Sequence, residues 1–132
     1  LISEFKKIGP QTKFYGFQGH GFVEEKMKTA SIIVIPSIWH EPFGLVAAEA
    51  MSNGISIVAS NVGGIPEIIE DSGILIDKIS NEKLINSIYY LIKNDKLRLD
   101  YQKKSWNNFK FSSKISSKKL DDFRKFIFQN YF

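Results

Sequence analysis

The sequence predicts an α/β protein with a Rossmann-like parallel sheet flanked by helices, and three observations support this. Short apolar runs alternate with helical patterns from residue 13 to residue 95. The runs are rich in β-branched and aromatic residues and are bounded by Gly, Pro or Ser, as strands are. They are also apolar throughout, which is typical of strands covered on both faces of a parallel sheet. Strands and helices that alternate in this way form a parallel sheet.

Four runs are predicted strands: "KFYGF" at residues 13–17, "SIIVIPS" at 31–37, "ISIVAS" at 55–60 and "GILID" at 73–77. In open sheets of this class, ligands bind beyond the carboxyl ends of the strands, where loops lead into the next helices. The loops in which we expect functional residues are therefore "FQGHGF", "PSIWHEPFG" and "SNVGGIPE".

Two helices are predicted between the first three strands. The first, "VEEKMKTA" at residues 23–30, is short. The second, "FGLVAAEAMSN" at residues 43–53, is rich in good helix formers and follows Pro42. Gly54 comes directly after it and is a common residue at the end of a helix.

Two further helices are predicted towards the middle of the chain. "IPEIIED" at residues 65–71 places Pro66 in the first turn, where proline is tolerated, and Glu67 there complements the helix dipole. "NEKLINSIYYLIKND" at residues 81–95 has Ser80 as a candidate N-cap. Its predicted buried stripe comprises Leu84, Ile85, Ile88, Leu91 and Ile92.

The composition restricts the classes of function. The chain has 132 residues, about one domain, and 43% of them are hydrophobic, enough for a core. It has no apolar run of about 18 residues, as a membrane-spanning helix would need. There is no cysteine, and two histidines, His20 and His40, are too few for a metal site without carboxylates. No signal peptide is visible, so we expect a cytoplasmic protein.

The two ends of the chain differ from its middle. The start, "LISEFKKIGP", lacks a methionine and is typical of the end of a helix, so we expect a truncated single domain over residues 1–132. Residues 1–92 carry a net charge of −3, whereas residues 93–132 carry +7. We therefore expect a basic helical tail from about residue 93 to residue 132.

The tail has an apolar stripe of Leu120, Phe123, Ile127 and Tyr131, surrounded by Lys and Arg. One interpretation is a helix that packs across this domain or onto another one. The other is a surface helix that attracts anionic lipid, which would give peripheral contact at the inner face of the cell membrane. Nucleic-acid binding is not expected, because lysines dominate and no aromatic and basic platform appears.

Two carboxylates, Glu41 and Glu49, flank the start of the second predicted helix. The free N–H groups at a helix start bind phosphate, and Gly44 lets the backbone approach a ligand. A carboxylate accepts two hydrogen bonds at once, so each acid suits a vicinal diol. This layout predicts a nucleotide-sugar site. Two alternatives are ordinary surface acids and a glycosidase pair.

The stretch "PSIWHEPFGLVAAEAMSNGISIVASNVGGIPEII", at residues 36–69, closely resembles the donor-binding signature of retaining glycosyltransferases of family four, which have the GT-B fold. The resemblance implies that Glu41 contacts hydroxyls of the donor sugar and is the catalytic candidate. It implies that the backbone of Phe43, Gly44 and Leu45 binds the sugar and diphosphate, and that Glu49 holds the ribose hydroxyls. One departure is that the usual proline after the glycine at 54 is absent.

The resemblance also implies a reaction. A sugar passes from a nucleotide sugar, which we expect to be a UDP-sugar, to a glycan or lipid-linked acceptor, with retention and without a metal or other cofactor. The Arg and Lys that hold the diphosphate in this family would precede Leu1, as would the N-terminal domain that binds the acceptor. We therefore expect the later part of a C-terminal donor domain, inactive alone. The alternatives are a GT-B epimerase and a non-catalytic module that binds sugar nucleotides.

Four further residues are candidate pocket lining: Trp39, His40, Gly63 and Gly64. Each also has a simpler explanation. The glycine pair can serve only a tight turn, Trp39 can pack against the protein, and the position of His40 is variable in the family. His20, in "GHG", is interpreted as a loop residue.

Overall fold

The computed structural model describes residues 11–131, apart from the side chains of Ser113, Asn130 and Tyr131. The amino-terminal fragment predicted to end a helix lies outside these residues. In chain order, the helices and strands of the described part are α1 (His20–Thr29), β1 (Ile32–Ile35), α2 (Leu45–Ser52), β2 (Ser56–Ser60), α3 (Ile65–Ile69), β3 (Gly73–Ile76), α4 (Asn81–Lys93), α5 (Asp95–Asn108) and α6 (Ser113–Tyr131).

The three strands form a parallel sheet in the order β1-β2-β3, which confirms the predicted fold class. Val34 of β1 is opposite Val58 of β2, which is in turn opposite Ile74 of β3. All five residues of β2 are buried, but only one residue of β1 and one of β3 are. Coverage of both faces was therefore predicted correctly for the central strand and wrongly for its neighbours, because both are edge strands within the described part.

The strand predicted at residues 13–17 is wrong. This segment has no regular secondary structure, and Gly16 within it has a φ of 66°, outside the extended region of regular strands. Of the aromatic residues that suggested a strand, Phe17 is fully exposed and Tyr15 packs locally. The ring of Tyr15 meets that of Phe22 in α1 edge-on, with 5.0 Å between the centroids. Aromatic composition alone does not separate a strand from such a turn.

The core lies on both faces of the sheet. On one face, Ile57 and Ala59 of β2 pack against the alanines and Met51 of α2 and the isoleucines of α3. On the other face, Val58 packs with Ile76 and with Leu91 of α4. This alternation follows from the two-residue period of a strand.

The helix signals in the sequence were largely correct. The Ser80 hydroxyl accepts a hydrogen bond from the backbone N–H of Lys83 at 3.2 Å, as an N-cap does. Pro66 lies in the first turn of α3, and Gly54 has a positive φ just after α2. The buried stripe of α4 was predicted too wide, because Ile85 and Ile92 are 64% and 55% exposed. The sheet is too narrow to cover them within the described residues.

Helix α5 packs against α2 and β2. The buried Ser105 hydroxyl donates to the carbonyl of Ile55 at 2.8 Å, and the Ser56 hydroxyl donates to the carbonyl of Arg98 at 2.7 Å. Helix α6 follows, and most of its described side chains are exposed. The described residues after residue 93 are thus mostly helical, and the first of the two helices packs against the core.

Candidate functional site

The site is built around the loop between β1 and α2, at the carboxyl end of the sheet. Gly44 has a φ of 84° and is the N-cap of α2, so the helix begins at Leu45 rather than at Phe43 as predicted. The first turn of α2 has no side-chain cap and no acidic residue. Its first amide groups therefore lack a side-chain partner, as helix starts that bind anions do, and Leu45 beside them is 62% exposed.

Glu41 is held in this loop by three hydrogen bonds. The Ser37 hydroxyl donates to its carboxylate. Its own N–H donates to the carbonyl of Trp39 at 3.0 Å, and its carbonyl accepts from the N–H of Gly64 at 2.8 Å. The carboxylate is half-buried. These contacts fix its place before the start of α2, where the sequence placed it.

Gly63 and Gly64 lie directly against the Glu41 loop. A Cβ on Gly63 would come within 2.2 Å of the Glu41 carbonyl oxygen, and a Cβ on Gly64 within 2.6 Å of that of Pro42. Gly63 also has a positive φ of 56°. The pair therefore does more than turn the chain, because only glycine lets the two loops touch. Their contact with a ligand stays a prediction.

Glu49 lies in the second turn of α2, as predicted, and its side chain is 28% exposed. Its carboxylate is 3.8 Å from Nδ1 of His20. The interpretation of His20 as a loop residue is wrong, because it is the first residue of α1. The two side chains open onto a cavity of about 410 Å³, lined also by Glu24, Met27, Lys28, Ser52, Asn53 and Trp106.

His20 and Trp106 share a cavity with Glu49, although neither was predicted to lie beside it. The sequence did contain a signal for His20, because it lies in "FQGHGF", one of the three loops expected to hold functional residues. Trp106 carried no such signal, because it approaches only through the packing of α5 against α2.

Trp39 and His40 are exposed at the outer side of the loop. Trp39 is 76% exposed and its neighbour Ile38 is 88% exposed. Trp39 is therefore not part of the described core. Whether these side chains line a donor pocket stays a prediction.

Three pKa shifts arise from surface ion pairs. A hydrogen bond from Lys28 lowers the pKa of Glu24 at the rim of the cavity. A hydrogen bond from Lys104 lowers the pKa of Asp71, and the same contact raises the pKa of Lys104. The second pair joins α5 to the turn after α3, away from the Glu41 loop.

Residues 11–131 lack two features. No group of three or more His, Cys, Asp or Glu side chains in this part could hold a metal ion. No helix in it is both long and apolar enough to cross a membrane.

Comparison with known proteins identifies the class. Residues 1–107 match the family of glycosyl transferases group 1. An uncharacterized glycosyltransferase of Methanocaldococcus jannaschii is 36% identical in an alignment 107 residues long, which covers 72% of this chain and 27% of that protein. This chain therefore belongs to the glycosyl transferases group 1 family, and the resemblance inferred from the sequence is confirmed.

Solved structures agree with this assignment. Sucrose-phosphate synthase from Thermosynechococcus elongatus matches with a TM-score of 0.80 and 25% identity, over 97% of this chain and 33% of its own. Anabaena HepE in complex with UDP matches with a TM-score of 0.68 and 25% identity, over 86% of this chain and 32% of its own. These neighbours are GT-B glycosyltransferases. The chain thus spans about a third or less of the length of these relatives.

Proposed function

We propose that this chain is the donor-binding part of a glycosyltransferase that takes a sugar from a UDP-sugar. The observation that carries the proposal is the uncapped start of α2, preceded by the fixed carboxylate of Glu41 and followed one turn later by Glu49. The family match and the UDP complex of the related HepE support it.

Each part of this site suits one part of a sugar nucleotide. The amides at the start of α2, with residues 43–45, bind the diphosphate, because the positive end of the helix dipole attracts it. Glu41 accepts hydrogen bonds from hydroxyls of the donor sugar. Glu49 accepts them from the ribose hydroxyls, with the cavity beside His20 next to it. Trp39, His40, Gly63 and Gly64 line the donor site around Glu41.

The proposed reaction retains the configuration at the anomeric carbon. The bond from that carbon to the diphosphate oxygen breaks, a bond to an acceptor hydroxyl oxygen forms on the same face, and the acceptor hydroxyl passes its proton to the leaving diphosphate. Negative charge grows on the leaving diphosphate, and fixed donors at the start of α2 stabilise it. No metal or other cofactor is needed in this scheme. The acceptor is a glycan or a lipid-linked sugar.

The affinity of this chain alone is expected to be low. In this proposal, the Arg and Lys that hold the diphosphate and the N-terminal domain that binds the acceptor belong to a region of the protein before Leu1. Charge-assisted hydrogen bonds contribute roughly 1.5–3 kcal/mol each to the binding free energy. The loss of translational and rotational freedom on association offsets several kcal/mol of that sum. We expect a dissociation constant on the order of 1 mM for UDP, and no sustained transfer by these 132 residues.

The reaction is tested with the chain joined to an upstream region. Incubation with a UDP-sugar panel and glycan or lipid-linked acceptors should give a glycoside whose anomeric configuration, read by NMR, is that of the donor. The rate should survive EDTA. An inverted product would contradict the mechanism, an epimerised sugar nucleotide would indicate an epimerase, and binding without turnover would indicate a non-catalytic module.

We further propose that α6 contacts anionic lipid. Leu120 and Phe123 are 50% and 58% exposed along α6, with Lys118, Lys119 and Lys125 on the same exposed helix. An exposed apolar stripe beside lysines suits a membrane interface. The chain should co-sediment with anionic vesicles at low salt, and less with neutral vesicles or after Phe123→Asp. Equal sedimentation with both vesicle types, or none, would contradict this contact.

A further inference from the structure

The short linker between α5 and α6 contacts the candidate donor site. The ring of Phe111, one residue before the Ser112 that caps α6, meets the ring of Phe43 with 5.4 Å between centroids and an interplanar angle of 88°. This is the edge-to-face arrangement that aromatic pairs prefer. Phe43 is the residue directly before the left-handed Gly44, where α2 begins. The contact therefore connects the linker between α5 and α6 to the loop that we expect to bind the diphosphate.

The linker is itself anchored, so Phe111 is a fixed support. Lys110 forms an ion pair with Glu70, and the side-chain amide of Asn108 donates to Asp71 at 3.1 Å. Phe109 and Phe111 are half-buried and both pack against the core cluster that contains α2 and α3. Their rings also touch, with 6.1 Å between centroids.

The loop that Phe111 supports is held from its other side by the glycine pair. A Cβ on Gly64 would come within 2.9 Å of the Phe43 carbonyl oxygen, so the backbones of the two loops are in contact there. Glycine backbones, such as that of Gly44, have wide conformational freedom. Contacts on both sides of Phe43 restrict that freedom and fix the direction of the first amides of α2.

We propose that Phe111 is a positioning residue for the donor diphosphate: its ring holds Phe43, and thereby the amides at the start of α2, in the binding geometry. The inference rests on the proposed function of this site. Because α6 begins directly after the linker, the same contact connects the start of α6 to the proposed donor site.

The test compares Phe111→Ala with Phe109→Ala, which removes a half-buried ring of the same linker whose described ring contact is with Phe111. Binding of UDP and of uridine is measured by ligand-observed NMR titration. Because uridine has no diphosphate, Phe111→Ala should weaken UDP about five- to tenfold and change uridine less than twofold. Phe109→Ala should change UDP less than threefold, and Phe111→Tyr, which keeps the ring, should restore UDP binding to within twofold.

A ligand-free measurement distinguishes the possible failures. In Phe111→Ala the amide chemical shifts of Gly44, Leu45 and Val46 should move, while those of α4 stay in place. Unmoved shifts with unchanged UDP affinity would overturn the positioning role and leave the proposed function standing. Equal losses for UDP and uridine would also overturn it, since they would indicate general damage. Absence of UDP binding by the unmodified chain would overturn the proposed function, and this inference with it.

Discussion

At the scale of single residues, the site depends on glycines as much as on its two acids. Glu41 accepts from Ser37 through its side chain and from Gly64 through its backbone. The second bond forms only because Gly63 and Gly64 bring the two loops into contact. In the proposed function the acids bind the donor, and the glycines determine where the first of them lies.

Substitution of Gly63 should separate the two loops. Gly63→Ala places a Cβ 2.2 Å from the Glu41 carbonyl oxygen, at a φ that alanine disfavours, and should cost about 2 kcal/mol or more in the free energy of unfolding. Urea denaturation measures this. The control is Gly21→Ala in α1, where a Cβ meets nothing within 4 Å and stability should rise by about 0.5–1 kcal/mol. A Gly63→Ala protein as stable as the unmodified chain would contradict the contact.

The residues of the site could be predicted from the sequence only where a local pattern marks them. Glu41 and Glu49 stand out because the helix start between them and the glycine pair after them form one ordered motif. His20 lies 29 positions before its partner Glu49, and Phe111 lies 68 positions after its partner Phe43, so only tertiary packing brings these side chains to the site.

At the scale of helices and strands, local signals predicted the helices better than the strands. Ser80, Pro66 and Gly54 act through their own backbone neighbourhood, so their roles could be inferred directly. A strand requires a partner, and the segment at residues 13–17 has none in the described part, since Gly16 turns the chain. The width of the buried stripe on α4 likewise depends on how far the sheet extends.

The ion pair between Asp71 and Lys104 should make stability depend on acid pH. The pKa of Asp71 is lowered in the folded chain, chiefly by its hydrogen bond from Lys104. Its stabilisation is therefore complete above the unfolded pKa, about 3.9, and is lost as pH falls through the lower folded pKa. Asp71→Asn should flatten the fall in melting temperature between about pH 5 and pH 2.

Lys104→Gln is the reciprocal variant, because it removes the charge that lowers the pKa of Asp71. It should reduce the same fall in melting temperature at acid pH. The raised pKa of Lys104 itself acts at the opposite end of the scale, where its stabilisation is lost as pH rises above the ordinary lysine range. If the melting temperature of Asp71→Asn fell as steeply at acid pH as that of the unmodified chain, other carboxylates would determine the acid dependence.

At the scale of the whole molecule, charge and structure divide the chain in the same place. The acidic first 92 residues hold the sheet and the candidate site, and the basic remainder holds α5 and α6. Helix α5 completes the core, whereas α6 exposes most of its described side chains. The linker between them contacts Phe43 in the loop between β1 and α2, so the basic part of the chain is in contact with the candidate site.

The central claim is that Glu49 holds the ribose of a nucleotide bound at the start of α2. Ligand-observed NMR of this chain with UDP, GDP and ADP, repeated on Glu49→Ala, tests it most directly. We predict a signal that is strongest for UDP and falls at least tenfold in affinity in the variant, since about 1.5–3 kcal/mol is lost per charge-assisted hydrogen bond. Glu82→Ala, in the exposed first turn of α4, should bind as the unmodified chain does. A UDP signal of full strength in Glu49→Ala would contradict the account.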